Sequence, residues 1–121
     1  MKVFDQQTFS DHSKGSYGDC TRAVVYVLLQ EDINLPHPID PHTGGWNMKF
    51  FDDLELKTGK HLTFYGGPKR DNWPDLVGRS GISERGIRHL IVWSTTLDVI
   101  VHDPHPSRSG LVTYDGWFVL Q

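Results

Sequence analysis

Seven consecutive apolar residues, Ala23 to Leu29, impose the strongest constraint on how this chain folds. A helix that is apolar on every side has to be buried on every side, so more than one other element must cover it. The run follows Gly18, Asp19 and Cys20, and prolines shortly after it stop the helix from continuing. We therefore predict a buried helix over residues 19–31, with Asp19 as its N-cap and Gly18 as a hinge.

A second helix is predicted over residues 46–58, after an irregular connector at 36–45. Trp46, Phe50 and Leu54 recur at helical spacing, and Gly59 is a suitable C-terminal stop. Residues 61–67 then resemble a strand that ends in a turn. The polar, glycine-rich stretch that follows, residues 68–87, is predicted to be a loop, and long loops in small domains are often functional.

The last third of the chain is dense in β-branched and aromatic residues, which favour strands. We predict strands over 88–93, 99–103 and 116–120, with a hairpin connection at 94–98. Helices that precede antiparallel strands are typical of the α+β class. A length of 121 residues fits a single domain spanning 1–121.

Composition argues against two classes of partner. The net charge is −3 and no run of Lys or Arg occurs, so a nucleic-acid partner is not expected. The longest apolar run is far shorter than the roughly 20 residues of a membrane span, and no stretch resembles a signal peptide. A single cysteine, Cys20, cannot form an internal disulfide. We expect a soluble, cytoplasmic protein in a reducing compartment.

Cys20 lies where a glycine-rich loop meets the apolar helix. Helix N-termini stabilise the thiolate, and the preceding loop would leave the sulfur accessible. The alternative is a small packing residue, the commoner role of a lone cysteine. A nucleophilic cysteine needs a histidine base nearby and usually a third group to orient that base.

The predicted hairpin brings one histidine and one aspartate together. With a symmetric connection at 94–98, Trp93 faces Val99 and Val92 faces Ile100, which are reasonable apolar pairs. The same register sets His89 opposite Asp103, with Cβ atoms about 5 Å apart. His102 leaves the sheet from the other face, so the register favours His89 as the base and Asp103 as its partner.

These motifs resemble a known family. The segments "QT", "GDCTRAVVYVLL", "GISERGIRHLIVW" and "VIVHDPHPSRSGL" are similar to the small papain-like cysteine-hydrolase domains encoded by many bacteriophages. They are more distantly similar to the bacteriocin leader-processing cysteine peptidases. The similarity extends over roughly residues 6–111, and the middle of the chain, 36–80, carries little of it.

The resemblance implies a papain-like fold, in which a central helix packs on a small antiparallel sheet, and it implies roles for four residues. Cys20 would be the nucleophile, His89 the base, Asp103 the residue that orients the base, and Gln7 a donor to the oxyanion. Gln6 is the alternative to Gln7. Twelve residues separate Gln7 from Cys20, so the intervening loop would have to fold back.

We also predict a substrate-binding surface around Cys20. It would consist of the bend at Gly18 and Asp19, together with Arg88 and His105, where His105 shares a loop with Ser107 and Ser109. Three arginines, Arg79, Arg85 and Arg88, could bind a substrate carboxylate or phosphate. The simpler hypothesis is a solvated loop in which Glu84 pairs with one of them.

A metal site is the competing interpretation of "VHDPHP", because His102, Asp103 and His105 are all possible ligands. Alternation along a strand would point His102 and Asp103 to opposite faces, and no established metal motif supports the site. His37, His42 and His61 show no ligand spacing and are expected to be structural. Trp46 and Trp73 are expected to lie in the core.

The sequence therefore predicts a cysteine peptidase or amidase that cleaves a peptide, isopeptide or amide bond through an acyl-enzyme, without a cofactor. Deamidation or acyl transfer would use the same residues. The resemblance implies a phage-encoded enzyme that is located in the cytoplasm of a bacterial host. Its substrate would be a protein or peptide of that host. The alternatives are a catalytically unused scaffold that binds a host protein, and a metal-dependent hydrolase.

Overall fold

A computed structural model describes residues 1–11 and 17–121. In these ranges the chain forms two helices followed by a five-stranded antiparallel sheet, which confirms the α+β class. The helices are α1 (Cys20–Leu29) and α2 (Met48–Thr58). The strands are β1 (Leu62–Tyr65), β2 (Leu76–Ile82), β3 (Arg88–Ser94), β4 (Val99–His102) and β5 (Thr113–Leu120). Within the described ranges, no helix is long and apolar enough to cross a membrane.

Helix α1 packs against the sheet on one side and shares a second apolar cluster with α2, as its uniformly apolar sequence requires. Val24 and Val27 pack against Leu90 and Val92 of the sheet. On another side, Val25 and Tyr26 belong to a cluster that contains Phe50 and Leu54 of α2, among other residues. Residues on two sides of α1 thus bury its apolar surface, and the helix holds Cys20 at a fixed place beside β3.

The helix ends differ from the predicted ones for local reasons. Gln30 adopts a left-handed conformation with φ of 59° and ends α1 before residue 31. Helix α2 begins at Met48 because the Asn47 side chain accepts a hydrogen bond from the Lys49 amide. Trp46 therefore lies outside the helix and is 48% exposed, contrary to its predicted core position. Gly59 ends α2 as predicted.

The prediction of a loop over 68–87 was wrong, because this stretch contains β2, the central strand in the order β1-β5-β2-β3-β4. Its sequence, LVGRSGI, includes two glycines that weaken the strand pattern. A Cβ on Gly81 would lie 1.8 Å from the Thr113 carbonyl oxygen, so the neighbouring strand excludes a side chain there. The close approach of β5 therefore requires a glycine at this position, and the same glycine weakens the sequence pattern from which a strand would be predicted.

The second face of the sheet carries an aromatic core. Trp73 is buried there as predicted, against Trp117, Ile91 and Val77. Arg79 of β2 lies over the rings of Trp93, Tyr114 and Trp117, at 4.1–4.4 Å from their centroids. This arrangement uses Arg79 in packing, and Arg79 does not line the cleft at Cys20 described below.

Candidate active site

Cys20 is the first residue of α1 and lines a cleft at the helix N-terminus. It is a free thiol of intermediate exposure, and its side chain packs against the buried cluster that contains Val24 and Leu90. The sulfur is therefore held in place by the core and is still reachable from solvent. Backbone N–H groups in the first turn of a helix have no acceptor within the helix, so they favour negative charge at this position.

His89 and Asp103 form a buried pair beside Cys20. The His89 Nε2 and Asp103 Oδ1 atoms are 2.6 Å apart, and the two residues are 6% and 3% exposed. Because Asp103 occupies Nε2, the other ring nitrogen, Nδ1, is the one left for the thiol. Cys20 and His89 line the same cleft, and the Cys20 side chain is close enough to the imidazole to help raise its pKa. The structure thus brings together the three residues that the sequence predicted as a triad.

The hairpin register that led to this prediction is nevertheless wrong. Ser94 pairs with Val99, one residue from the predicted register, and a bulge before Trp93 adds a second shift so that Val92 pairs with His102. Two single-residue shifts restore the original alternation of side chains, so His89 and Asp103 stay on one side of the sheet. They meet as diagonal neighbours, a separation that a histidine and an aspartate can span.

The charge state of the pair follows from its partners. Burial disfavours the imidazolium, but hydrogen bonds with Asp103 and Cys20 outweigh burial and raise the pKa of His89 to about 9. Burial likewise opposes ionisation of Asp103, but hydrogen bonds from His89, His105 and Gly110 lower the pKa of this carboxyl to about 2. At neutral pH the pair is an imidazolium and a carboxylate.

Backbone groups hold Asp103 in position. Its Oδ1 accepts the His105 amide at 2.9 Å, and its Oδ2 accepts the Gly110 amide at 2.7 Å. Gly110 has a φ of 71°, a conformation that glycine adopts without strain. The Asp-Pro segment therefore positions a carboxylate, in addition to ending the strand.

The structure corrects the choice between the two glutamines. Gln6 lines the cleft with Cys20 and is 8% exposed, whereas Gln7 is exposed and does not line it. Gln6 Nε2 donates to the Thr8 carbonyl at 2.8 Å, and the Gln6 amide donates to the Pro104 carbonyl at 3.1 Å. Gln6 Oε1 is a buried side-chain oxygen without a hydrogen-bond partner among the described residues.

Asp19 is the N-cap residue of α1, as predicted, but its side chain makes no capping hydrogen bond. Its Oδ1 instead accepts the amides of Gln7 at 2.8 Å and Thr8 at 3.0 Å. Its Oδ2 pairs with Arg22 at 2.7 Å, and Asp19 is 2% exposed. Asp19 therefore ties the N-terminal segment to α1 and does not face the cleft as a substrate-binding residue.

The other predicted substrate-binding residues, Gly18, Arg88 and His105, do line the cleft. The His105 ring packs edge-on against His89, with centroids 6.2 Å apart. Four further described residues line the cleft, and of these only Arg85 was considered as a substrate contact from the sequence. They are Phe9, Ser10, Arg85 and Ile87. Arg85 and Ile87 precede His89 closely in sequence, whereas no signal pointed to Phe9 or Ser10.

The residues of the predicted metal site do not converge. His102 Nε2 lies 2.9 Å from Asp5 Oδ1, away from Asp103, which is bound to His89. In the part of the chain that the structure describes, no cluster of His, Cys, Asp or Glu could hold a metal ion.

Of the other histidines, His37 contacts Thr8 and the Tyr17 carbonyl, while His42 and His61 are exposed.

No protein-family profile, curated protein or solved structure matches this chain.

Proposed function

We propose that the protein is a thiol-dependent hydrolase, a cysteine peptidase or amidase on a papain-like scaffold, with Cys20, His89 and Asp103 as its catalytic triad. The observation that carries the proposal is the buried His89–Asp103 pair, whose histidine lines one cleft together with a cysteine at a helix N-terminus. A nucleophile, a base and a residue that orients the base are the components of covalent acyl transfer.

In the proposed reaction, the Cys20 sulfur attacks the carbonyl carbon of an amide and forms a carbon–sulfur bond. His89 gives its proton to the leaving nitrogen as the carbon–nitrogen bond breaks. Water then attacks the thioester, His89 takes a proton from that water, and the acid product leaves Cys20 free. Asp103 keeps the ring oriented and stabilises its positive charge.

In this proposal two groups would stabilise the oxyanion. The backbone N–H of Cys20 lies at the helix start, where no helical acceptor competes for it. The Gln6 side-chain nitrogen has two N–H groups, and only one is needed for its bond to the Thr8 carbonyl. Donors that are already oriented cost no reorganisation as negative charge develops on the substrate oxygen.

Thiol labelling and ester turnover test the proposal. We expect iodoacetamide to alkylate Cys20 rapidly at neutral pH, and p-nitrophenyl acetate to acetylate the same residue and be turned over. His89→Gln, whose amide can still donate to Asp103, should reduce ester turnover by about 100-fold or more, since general bases contribute on this scale. Intact-mass measurement would locate the acetyl group, which Cys20→Ser should abolish.

His42→Ala provides the matched control, because His42 is exposed and does not line the cleft. Circular dichroism of each variant would show whether it is folded. Slow labelling of the folded protein that does not change in His89→Gln would refute the triad and favour a scaffold that only binds a partner.

A further inference from the structure

The cleft at Cys20 is lined by basic side chains and, among the described residues, by no acidic one. Two arginines, Arg85 and Arg88, are among its lining residues, and none of the described lining residues is an aspartate or a glutamate. The protein as a whole has a net charge of −3, so this local excess of positive charge is not a consequence of composition. A cleft of this kind attracts anionic groups.

The two arginines differ in what they are bound to. Arg88 forms an ion pair with Asp115, which in turn accepts a hydrogen bond from Ser80. Arg85 has no carboxylate within 4.0 Å among the described residues, and Glu84 pairs with neither arginine. Arg85 is therefore the arginine of this cleft whose charge is available to a ligand.

A small hydrogen-bonded group holds Arg85 at the cleft. Its Nη1 donates to Ser107 Oγ at 3.0 Å, and Ser107 Oγ lies 2.9 Å from His105 Nδ1. The Ser107 amide also donates to His105 Nδ1 at 3.0 Å. In the neutral ring the proton is then on Nε2, so His105 is a second N–H donor in the same lining.

We propose that Arg85, with His105 beside it, binds a carboxylate of the substrate, so that the enzyme acts on amides next to an acidic residue or near a chain terminus. This inference rests on the proposed function, since it concerns the substrate of the same cysteine. The fork of N–H donors in a guanidinium suits a carboxylate, and among the described residues only one of the Arg85 donors has a hydrogen-bond acceptor.

A pair of alkylating reagents tests the inference on the intact protein. Iodoacetate and iodoacetamide both transfer their carbon to sulfur with loss of iodide, and only iodoacetate carries a carboxylate. The measured quantity is the ratio of the two rates at Cys20, compared with the ratio for free glutathione. We expect Arg85→Gln to lower this ratio about fivefold, the upper range for a solvent-exposed ion pair, and salt to lower it in the wild type.

Three variants provide the controls. Arg85→Lys keeps the charge and should retain most of the ratio. Arg88→Gln should lower it less than Arg85→Gln, because Arg88 is already paired with Asp115. Arg70→Gln removes the same charge from an arginine that lies over the Tyr65 ring and not in the cleft, so it should leave the ratio unchanged.

The outcomes separate this inference from the proposed function. Fast, His89-dependent labelling with the same ratio in wild type and Arg85→Gln would refute the carboxylate site and leave the hydrolase proposal standing. Slow labelling that does not depend on His89 would refute both. A fivefold loss of the ratio in Arg85→Gln alone would support the site.

Protection of Cys20 from iodoacetamide identifies the source of the carboxylate. N-acetylglutamate α-amide offers a side-chain carboxylate, N-acetylalanine offers a terminal one, and N-acetylglutamine amide is the neutral control. Protection by either acid that exceeds the neutral control and disappears in Arg85→Gln would support the inference. Protection that is equal for all three compounds would overturn it.

Discussion

At the scale of single residues, the site depends on a charged pair inside the protein. His89 is protonated in the folded state up to a pKa of about 9, above its ordinary 6.5, because the hydrogen bonds to Asp103 and Cys20 outweigh burial. A group whose pKa is raised on folding adds stability below its unfolded pKa, and that stability is lost as the pH rises through the folded value. The hydrogen bonds that hold Asp103 lower its pKa to about 2 against the effect of burial, so its contribution is lost only in strong acid.

This linkage predicts how Asp103→Asn changes stability with pH. The variant should be less stable than the wild type at pH 5–6.5, where both members of the wild-type pair are charged. The difference in the free energy of unfolding should narrow between pH 6.5 and pH 9, by up to about 3 kcal/mol, as His89 loses its proton in the wild type.

Urea denaturation at several pH values would measure this difference. Asp98→Asn is the matched control, because Asp98 is an exposed partner of Lys69 whose carboxylate stays ionised throughout this range. A difference between wild type and Asp103→Asn that stays constant from pH 5 to pH 10 would contradict the pH-dependent contribution of His89.

Residue roles differed in how far sequence could predict them. Cys20, His89 and Asp103 could be predicted because each lies at the boundary of an apolar segment that is recognisable in the sequence. The choice between Gln6 and Gln7 had no such basis, since they are adjacent in an irregular segment. The choice depends on tertiary contacts. Asp19 accepts a hydrogen bond from the Gln7 backbone N–H, the Gln7 side chain is exposed, and the Gln6 side chain lines the cleft.

At the scale of elements, β2 was missed for a reason visible in the packing. Gly78 lies between Leu90 and Phe118, where a Cβ would come within 3.2 Å of both side chains. Gly81 lies against the Thr113 backbone at a bulge in the β2–β5 pairing. Neighbouring strands approach so closely that small residues are required, and the same small residues remove the β-branched pattern from which strands are predicted.

Gly81→Ala should therefore destabilise the protein. The new Cβ would meet backbone atoms of Thr113, which cannot move without disturbing β5. We expect a loss of about 3 kcal/mol or more in the free energy of unfolding, at the upper end of overpacking effects. Gly66→Ala is the control, since a Cβ there meets nothing within 4 Å, and its effect should stay within about 0.5 kcal/mol. Equal midpoints for the two variants in urea denaturation would show that β2 and β5 are not packed this closely.

At the scale of the whole molecule, the N-terminal segment joins parts of the site that lie far apart in sequence. The backbone N–H of Gln6 donates to the carbonyl of Pro104, which follows Asp103. The backbone N–H groups of Gln7 and Thr8 donate to the side chain of Asp19, which precedes Cys20. Asp5 pairs with Arg108, whose Nη1 also donates to the Asp103 carbonyl at 2.5 Å. The segment thus connects the start of α1 at Cys20 with Asp103 beyond β4, and it holds Gln6 in the lining of the cleft.

Asp19→Ala should test whether this connection is needed. The substitution leaves Arg22 without its carboxylate and two backbone amides without acceptors. We expect a loss of about 3 kcal/mol in stability, which is typical of breaking a buried pair. Hydrogen exchange should also become faster at Gln7 and Thr8, and ester turnover should fall because Gln6 is no longer held at the cleft.

Asp75→Ala removes a carboxylate that binds Ser94 and Thr96, outside the cleft, and should leave exchange at Gln7 and Thr8 unchanged. If these two amides stay protected in Asp19→Ala, contacts other than Asp19 hold the segment, and the position of Gln6 does not depend on α1.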